Sequence, residues 1–265
     1  MNLFYRRVKW VLTFLISLLA VVLIQQISPS SSTSGGISNL ARVAILVMGM
    51  SIPFYTVRTY RLKNLCENIS DLDEKELGEL RPGLNAVNVY LESENPVKAP
   101  ISGNNVALAK VTVNSFNYWS IFAERILDYS RLFLSNGRNK IAFSVDQNCR
   151  IKMPGFEEES DYVSGLGSPE DSVKQFEQKN SVNNTSFRRG YVEKGVKNSE
   201  DLTIIGDFEE GNNGIQLTSS EKLPAIISKK GLSQLTEHYK NRKKRNAAIT
   251  SVLIIAVTAG TLLPL

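Results

Sequence analysis

Apolar and polar positions along the 265-residue chain fall into two rhythms. Continuous apolar runs stand at Trp10–Ile27, Leu40–Val57 and Ala247–Leu265, close to the roughly 20 residues that a helix needs to cross a bilayer. Between them the pattern becomes short and alternating. Val87, Val89 and Leu91 share one face of a strand, and Ala107, Ala109, Val111 and Val113 share a face of another. Leu132–Ser135 and Ile141–Val145 flank Asn136-Gly137, the dipeptide suited to the positive backbone angles of a hairpin turn. Cys149, Ile151 and Met153 then alternate with Arg150 and Lys152, so this part reads as a meander of antiparallel strands. Further strands are predicted over Phe187–Glu193, Leu202–Gly206 and Leu223–Ser228, with Gly211-Asn212-Asn213-Gly214 as a turn.

Helical signals punctuate the strands. Ser70 followed three residues later by Asp73 has the form of a capping box and predicts a short helix to about Leu80, stopped by Arg81-Pro82-Gly83. Pro154–Gly167 is acidic and glycine-rich and reads as a loop; Ser168-Pro169-Glu170-Asp171 then opens a helix running to about Asn180. From Lys230 onward, Leu232, Leu235 and Tyr239 share the side of a last helix.

Charge gives the apolar runs a direction. Arg6, Arg7 and Lys9 precede the first, the connector Ser28–Asn39 carries no charge, Arg58, Arg61 and Lys63 follow the second, and Lys240, Arg242, Lys243, Lys244 and Arg245 precede the third. Cations stay on the cytoplasmic side of membrane spans. The predicted architecture is therefore a membrane-anchored α+β protein with a mostly antiparallel β body, two N-terminal transmembrane helices (10–27 and 40–57) and one C-terminal. Its divisions are 1–62, a body over 63–239, and a basic collar with the last span over 240–265. The expected location is an integral membrane protein with its body on the cytoplasmic side. An alternative takes the chain up to about Ser34 as a cleaved signal peptide. The formal charge of +5 and pI of about 9.1 come mostly from clusters beside these runs, so anchoring accounts for the surplus and nucleic acid is not an expected partner; membrane lipids are, drawn to the collar at about 1 kcal/mol per cation.

Candidate chemistry is sparse. Cys66 and Cys149 are the only cysteines, too few and too far apart for a disulfide framework. Cys149 reads as a small core residue, and Cys66, just past the basic end of the second run, as a lipidation candidate set against an inert thiol. His238 sits beside the collar, where a solvated imidazole outweighs a triad member, and Gly165 and Gly167 lack the lysine of a phosphate loop. Three N-x-Ser/Thr matches, at Asn68, Asn183 and Asn184, are chance matches in this topology. Arg188, Arg189 and Glu193 are a candidate docking patch, set against charges on a solvated strand face. No catalytic, metal or cofactor-binding residue is assigned.

Four segments, taken in order, carry a family resemblance. Val97-Lys98-Ala99-Pro100-Ile101-Ser102-Gly103 is similar to the turn after the first strand of the GIDE family, and Phe187-Arg188-Arg189-Gly190-Tyr191-Val192-Glu193 to its Arg-x-x-Glu strand. Leu202-Thr203-Ile204-Ile205-Gly206 and Ala225-Ile226-Ile227-Ser228-Lys229-Lys230 are similar to its two later strands. The chain thus resembles, over Leu72 to about Leu235, the mitochondrial-anchored E3 ubiquitin ligases and their prokaryotic relatives, whose shared part is a "beside a membrane" domain. Two features depart from that pattern. Asn104 and Asn105 follow the turn without the family's cysteine, and no RING follows the last apolar run. Cys66, Cys149 and His238 cannot supply the ligands that two zinc ions need. The resemblance implies a protein- or lipid-binding scaffold at a membrane surface. The alternative is a ligase-like protein that recruits substrates within a ubiquitin-like system while another chain supplies catalysis.

Overall fold

The computed structural model describes residues 35–115, 121–127, 131–146, 149–163, 175–176, 178, 189–211, 214–220 and 223–262. Among the described residues, the two long helices are α1 (Gly35–Ser70) and α2 (Leu232–Leu262). The described residues separate into a helical unit, up to Glu67 and from Glu237, and a β unit within Asn68–Thr236.

Among the described residues, no helix is long and apolar enough to cross a membrane. This corrects the expectation of spans at Leu40–Val57 and Ala247–Leu265, and with it the reading of an integral membrane protein whose body is held on the cytoplasmic side. The apolar run of α1 is interrupted by Arg42, closed by Arg58 and contains Pro53. Its uncharged stretch falls short of the roughly 20 residues a span requires. In α2 the described part after Arg245 is again short. It is also punctuated by Thr250, Ser251 and Thr258, whose hydroxyls donate to the carbonyls of Asn246, Ala247 and Ile254 one turn earlier. The third expected span, Trp10–Ile27, lies outside the described residues. Within the helical unit, Leu62, Leu65 and Cys66 of α1 and Tyr239 and Asn246 of α2 are buried.

The β unit is built on a closed barrel. Five strands form it: β2 (Gly83–Ser93), β7 (Leu132–Ser135), β8 (Lys140–Val145), β12 (Glu200–Gly211) and β13 (Gly214–Thr218). They run side by side in the order β2-β7-β8-β13-β12, and β12 pairs back onto β2 from Glu200↔Leu91 to Phe208↔Gly83. Numbered along the chain, the barrel order is 1-2-3-5-4-1. All neighbours are antiparallel except the third and fifth strands, which are parallel from Ile215↔Phe143 to Leu217↔Val145. This is the strand topology of the OB fold.

Alternation explains the barrel. Val87, Val89 and Leu91 point inward from β2, Leu132 and Leu134 from β7, Phe143 and Val145 from β8, and Leu202, Ile204 and Phe208 from β12, where they form one apolar core. The β7–β8 hairpin turns where Asn136-Gly137 predicts it. Gly137 takes a φ of 81°, and the Asn136 side-chain oxygen accepts from the backbone N–H groups of Arg138 at 3.1 Å and Asn139 at 2.7 Å.

A second sheet and core are inserted between barrel strands. β10 (Glu159–Val163), β11 (Arg189–Val196), β5 (Leu108–Ser115) and β6 (Ile121–Leu127) form an antiparallel sheet in that order. The hairpin of β3 (Val97–Lys98) and β4 (Asn105–Val106) contributes to the same small core, which gathers Val97, Ala99, Val106, Ala109, Val111, Val113, Phe176 and Tyr191. The simple meander is thus replaced by two interleaved sheets. β9 (Ile151–Lys152) pairs in parallel with β14 (Ala225–Ser228), which adds to the barrel through β12.

The predicted helix after Ser70 is also replaced: α1 ends at Ser70, β1 (Glu74–Lys75) pairs in parallel with β2, and Leu77–Glu79 form one 3-10 turn. Leu77 is 1 % exposed in the barrel core, so tertiary burial overrides the local cap signal. Most of the predicted helix over Ser168–Asn180 lies outside the described residues; Gln175, Phe176 and Gln178 are helical.

Candidate functional site

Two aromatic residues stand out of phase with the barrel core. Tyr90 lies between the inward Val89 and Leu91, and Phe133 between the inward Leu132 and Leu134, so strand alternation turns both rings to the outside. Tyr90 is 42 % exposed. The register aligns the outward side chains in rows across β12, β2, β7 and β8. One row runs Asp201, Tyr90, Ser135, Lys140; the next runs Glu92, Phe133, Ala142.

These rows interlock. The Lys140 ammonium lies 2.8 Å from the Glu92 carboxylate and 4.4 Å from the centre of the Phe133 ring, a cation over an aromatic face with an acid beside it. The hydrogen bond from Lys140 holds the Glu92 carboxyl below its ordinary value of 4.5, outweighing the opposing effect of burial and helped by a further hydrogen bond from Ser135. Exposed Asn88 and Ser144 flank the rows. Because the strands belong to a closed barrel, the face is a firm platform.

Its charge is balanced. Arg131, Arg138 and Lys140 on or beside β7 and β8 are met by Glu92, Glu94 and Asp201 on or beside β2 and β12. Nucleic acid is held chiefly by a surplus of cations against phosphates, and this face carries no such surplus.

Of the docking patch expected from sequence, Glu193 is the member whose side chain the structure describes, and it lies inside the fold. Glu193 is 1 % exposed, and its carboxylate caps the turn after β3: Oε2 accepts from the Ile101 N–H at 2.8 Å, and Oε1 from the Ser102 hydroxyl at 2.6 Å and the Ser102 N–H at 3.4 Å. It therefore works inside the unit, joining β11 to the turn after β3. Arg189 opens β11 opposite Val163 of β10 and Ser115 of β5, and Arg188 lies outside the described residues. On the opposite face of β11, Lys194 stands across from Lys110 of β5. The two ammonium groups are spared direct opposition because Lys110 donates to the Ile151 carbonyl, while Lys194 donates to that of Met153 at 3.2 Å and pairs with Glu158 at 2.7 Å.

In the helical unit, Cys66 is 3 % exposed. Burial pushes its thiol up, against the pull of the Lys243 and Lys240 ammonium groups, which places α2 cations near this point of α1. A thiol so enclosed and protonated is a poor acceptor for an acyl chain. Burial likewise pushes the Tyr239 hydroxyl up to about 12. In the collar, Lys240, Lys244 and Arg245 are exposed and Arg242 and Lys243 partly buried. Cys149 packs in the barrel core.

Among the described residues, no group of three or more His, Cys, Asp or Glu side chains is placed to hold a metal ion. A hollow lined by Leu80, Arg81, Pro82, Phe208, Glu209, Glu210 and Ile215 has a volume of about 70 Å³, far below the roughly 300 Å³ at which small-molecule sites begin. No protein-family model, curated protein or solved structure matches the chain.

Proposed function

We propose that this chain is a non-catalytic docking module that recruits a partner protein through the outer β2–β7–β8 face of its barrel. The observation that carries the reading is the pair of outward aromatic rings, Tyr90 and Phe133, set among charges of both signs on closed-barrel strands. Aromatic side chains on a rigid support are the groups that anchor protein interfaces, and a rim of mixed charge selects the partner. Balanced charge favours a protein over a nucleic acid as the occupant.

The test places a photo-crosslinking residue at Asn88, on this face, and in a separate full-length protein at Lys98, exposed on β3. A discrete polypeptide adduct is expected from position 88 and not from position 98, and it should disappear when Tyr90→Ala is added. Adducts of equal yield from both positions, or adducts indifferent to Tyr90, would overturn the proposal.

A further inference from the structure

The two aromatic residues of the barrel face have similar acidic company but different contents. Phe133 has Glu92 directly across the β2–β7 pair, and the space over its ring is filled by Lys140, whose ammonium touches that carboxylate at 2.8 Å. Tyr90 has Asp201 directly across the β2–β12 pair, so the two side chains leave the same face of the sheet with Cβ atoms about 5 Å apart. Both are exposed. Among the described residues, no cation pairs with Asp201 and none lies over the Tyr90 ring. One arrangement of ring, acid and base is complete within the chain; its neighbour has the ring and the acid alone.

We infer that Tyr90 and Asp201 form a seat for an arginine side chain presented by a segment of the partner protein. The inference rests on the docking reading above and narrows it to a basic, arginine-bearing segment. The chemistry is that of the adjoining group: the ring face attracts a cation and the carboxylate fixes its position. A planar guanidinium stacks on a phenol ring and still presents N–H groups edge-on to Asp201, which a compact ammonium does less well. Ser135, the next residue in the row beyond Tyr90, is buried and its hydroxyl accepts from the Gly137 N–H at 3.2 Å, so it brings no competing charge. Lys140 beyond it closes that side with a like charge, which orients an incoming cation toward Asp201.

The experiment uses the full chain and capped peptides of alternating arginine and glycine, with a citrulline version as a neutral isostere, followed by chemical-shift perturbation. The arginine peptide should bind about tenfold more tightly than the citrulline peptide, as a cation on an exposed ring with an adjacent acid allows. Asp201→Asn should erase that preference and Tyr90→Ala should abolish binding, whereas Tyr90→Phe, which keeps the ring, should retain it. Thermal unfolding of each variant reports whether the barrel is intact. Equal affinity for the two peptides, or an Asp201→Asn protein that binds like the parent, would overturn the inference. So would a single-stranded oligonucleotide that, with no peptide present, shifts the resonances of the same residues. If the Asn88 crosslink persists while arginine shows no advantage, only this narrower inference fails; if the crosslink is also absent, the docking reading fails with it.

Discussion

At the scale of single residues, burial decides which charges are structural. Glu193 and Glu92 are both strand glutamates, yet Glu193 gives its carboxylate to two backbone N–H groups and a hydroxyl inside the fold, while Glu92 shares its own with a half-exposed lysine. Glu193→Ala should therefore cost about 1–3 kcal/mol, because the part-buried Ile101 and Ser102 donors lose their acceptor. Urea unfolding measures it, and Ser102→Ala in the same background should add less than it does alone. The Glu92–Lys140 pair should matter at the scale of an exposed ion pair, about 0.2–1 kcal/mol. The Glu92 carboxyl is held below its ordinary value, so its stabilisation is fully present above about pH 4.5 and is lost as pH falls through the lowered value. Thermal midpoints followed down through that range should drop more steeply in the parent than in Lys140→Met. Parallel curves would show that the pair contributes nothing.

At the scale of elements, close approach between neighbouring strands sets the tolerances. Gly214 begins β13 with a φ of 139°, and a Cβ there would lie 2.2 Å from the Ala142 carbonyl oxygen; one on Gly206 in β12 would lie 2.6 Å from Leu217. Gly214→Ala should destabilise by more than about 2 kcal/mol, since a backbone clash and a left-handed angle act together. Gly206→Ala meets a terminal methyl of the buried Leu217, which can shift where a backbone carbonyl cannot, and should cost less; melting temperatures of the two variants give the order. Strands with a strict alternation and a marked turn were legible in sequence, as Val87–Leu91 and the Asn136-Gly137 hairpin illustrate. β13 was not, because Gly214-Ile215-Gln216-Leu217-Thr218 offers only two apolar residues and takes its strand character from β8 and β12 on either side. β10 was hidden in an acidic loop for the same reason, its conformation being supplied by β11. The aromatic pair on the barrel's outer face was legible in sequence, since Tyr90 and Phe133 interrupt the buried phase of their strands. Among the charges Arg188, Arg189 and Glu193, only burial distinguishes Glu193 from a surface acid.

At the scale of the molecule, runs of apolar residues proved weaker evidence than interruptions within them: Arg42 and Pro53 in α1, and the hydroxyl-bearing residues of α2, separate a long helix from a spanning one. Charge asymmetry around such runs gives a direction only where a span exists. The β unit was legible as strand-rich but not as a barrel, because closure depends on which distant strands meet, and pattern alone carries no such pairing. Amide hydrogen exchange should be slowest near Val87 and Ile204, where β2 lies between β1 and β12, and β12 between β2 and β14, with full burial. Faster exchange there than in β5 would show that the inserted sheet, and not the barrel, is the more stable part. The closure of the barrel also has a consequence for its making. Leu91 meets Glu200, and most of the inserted sheet is synthesised between them. A ribosome must therefore release nearly the whole β unit before its first long strand finds its second neighbour, and until then the apolar side of β2 is surface for chaperones to hold.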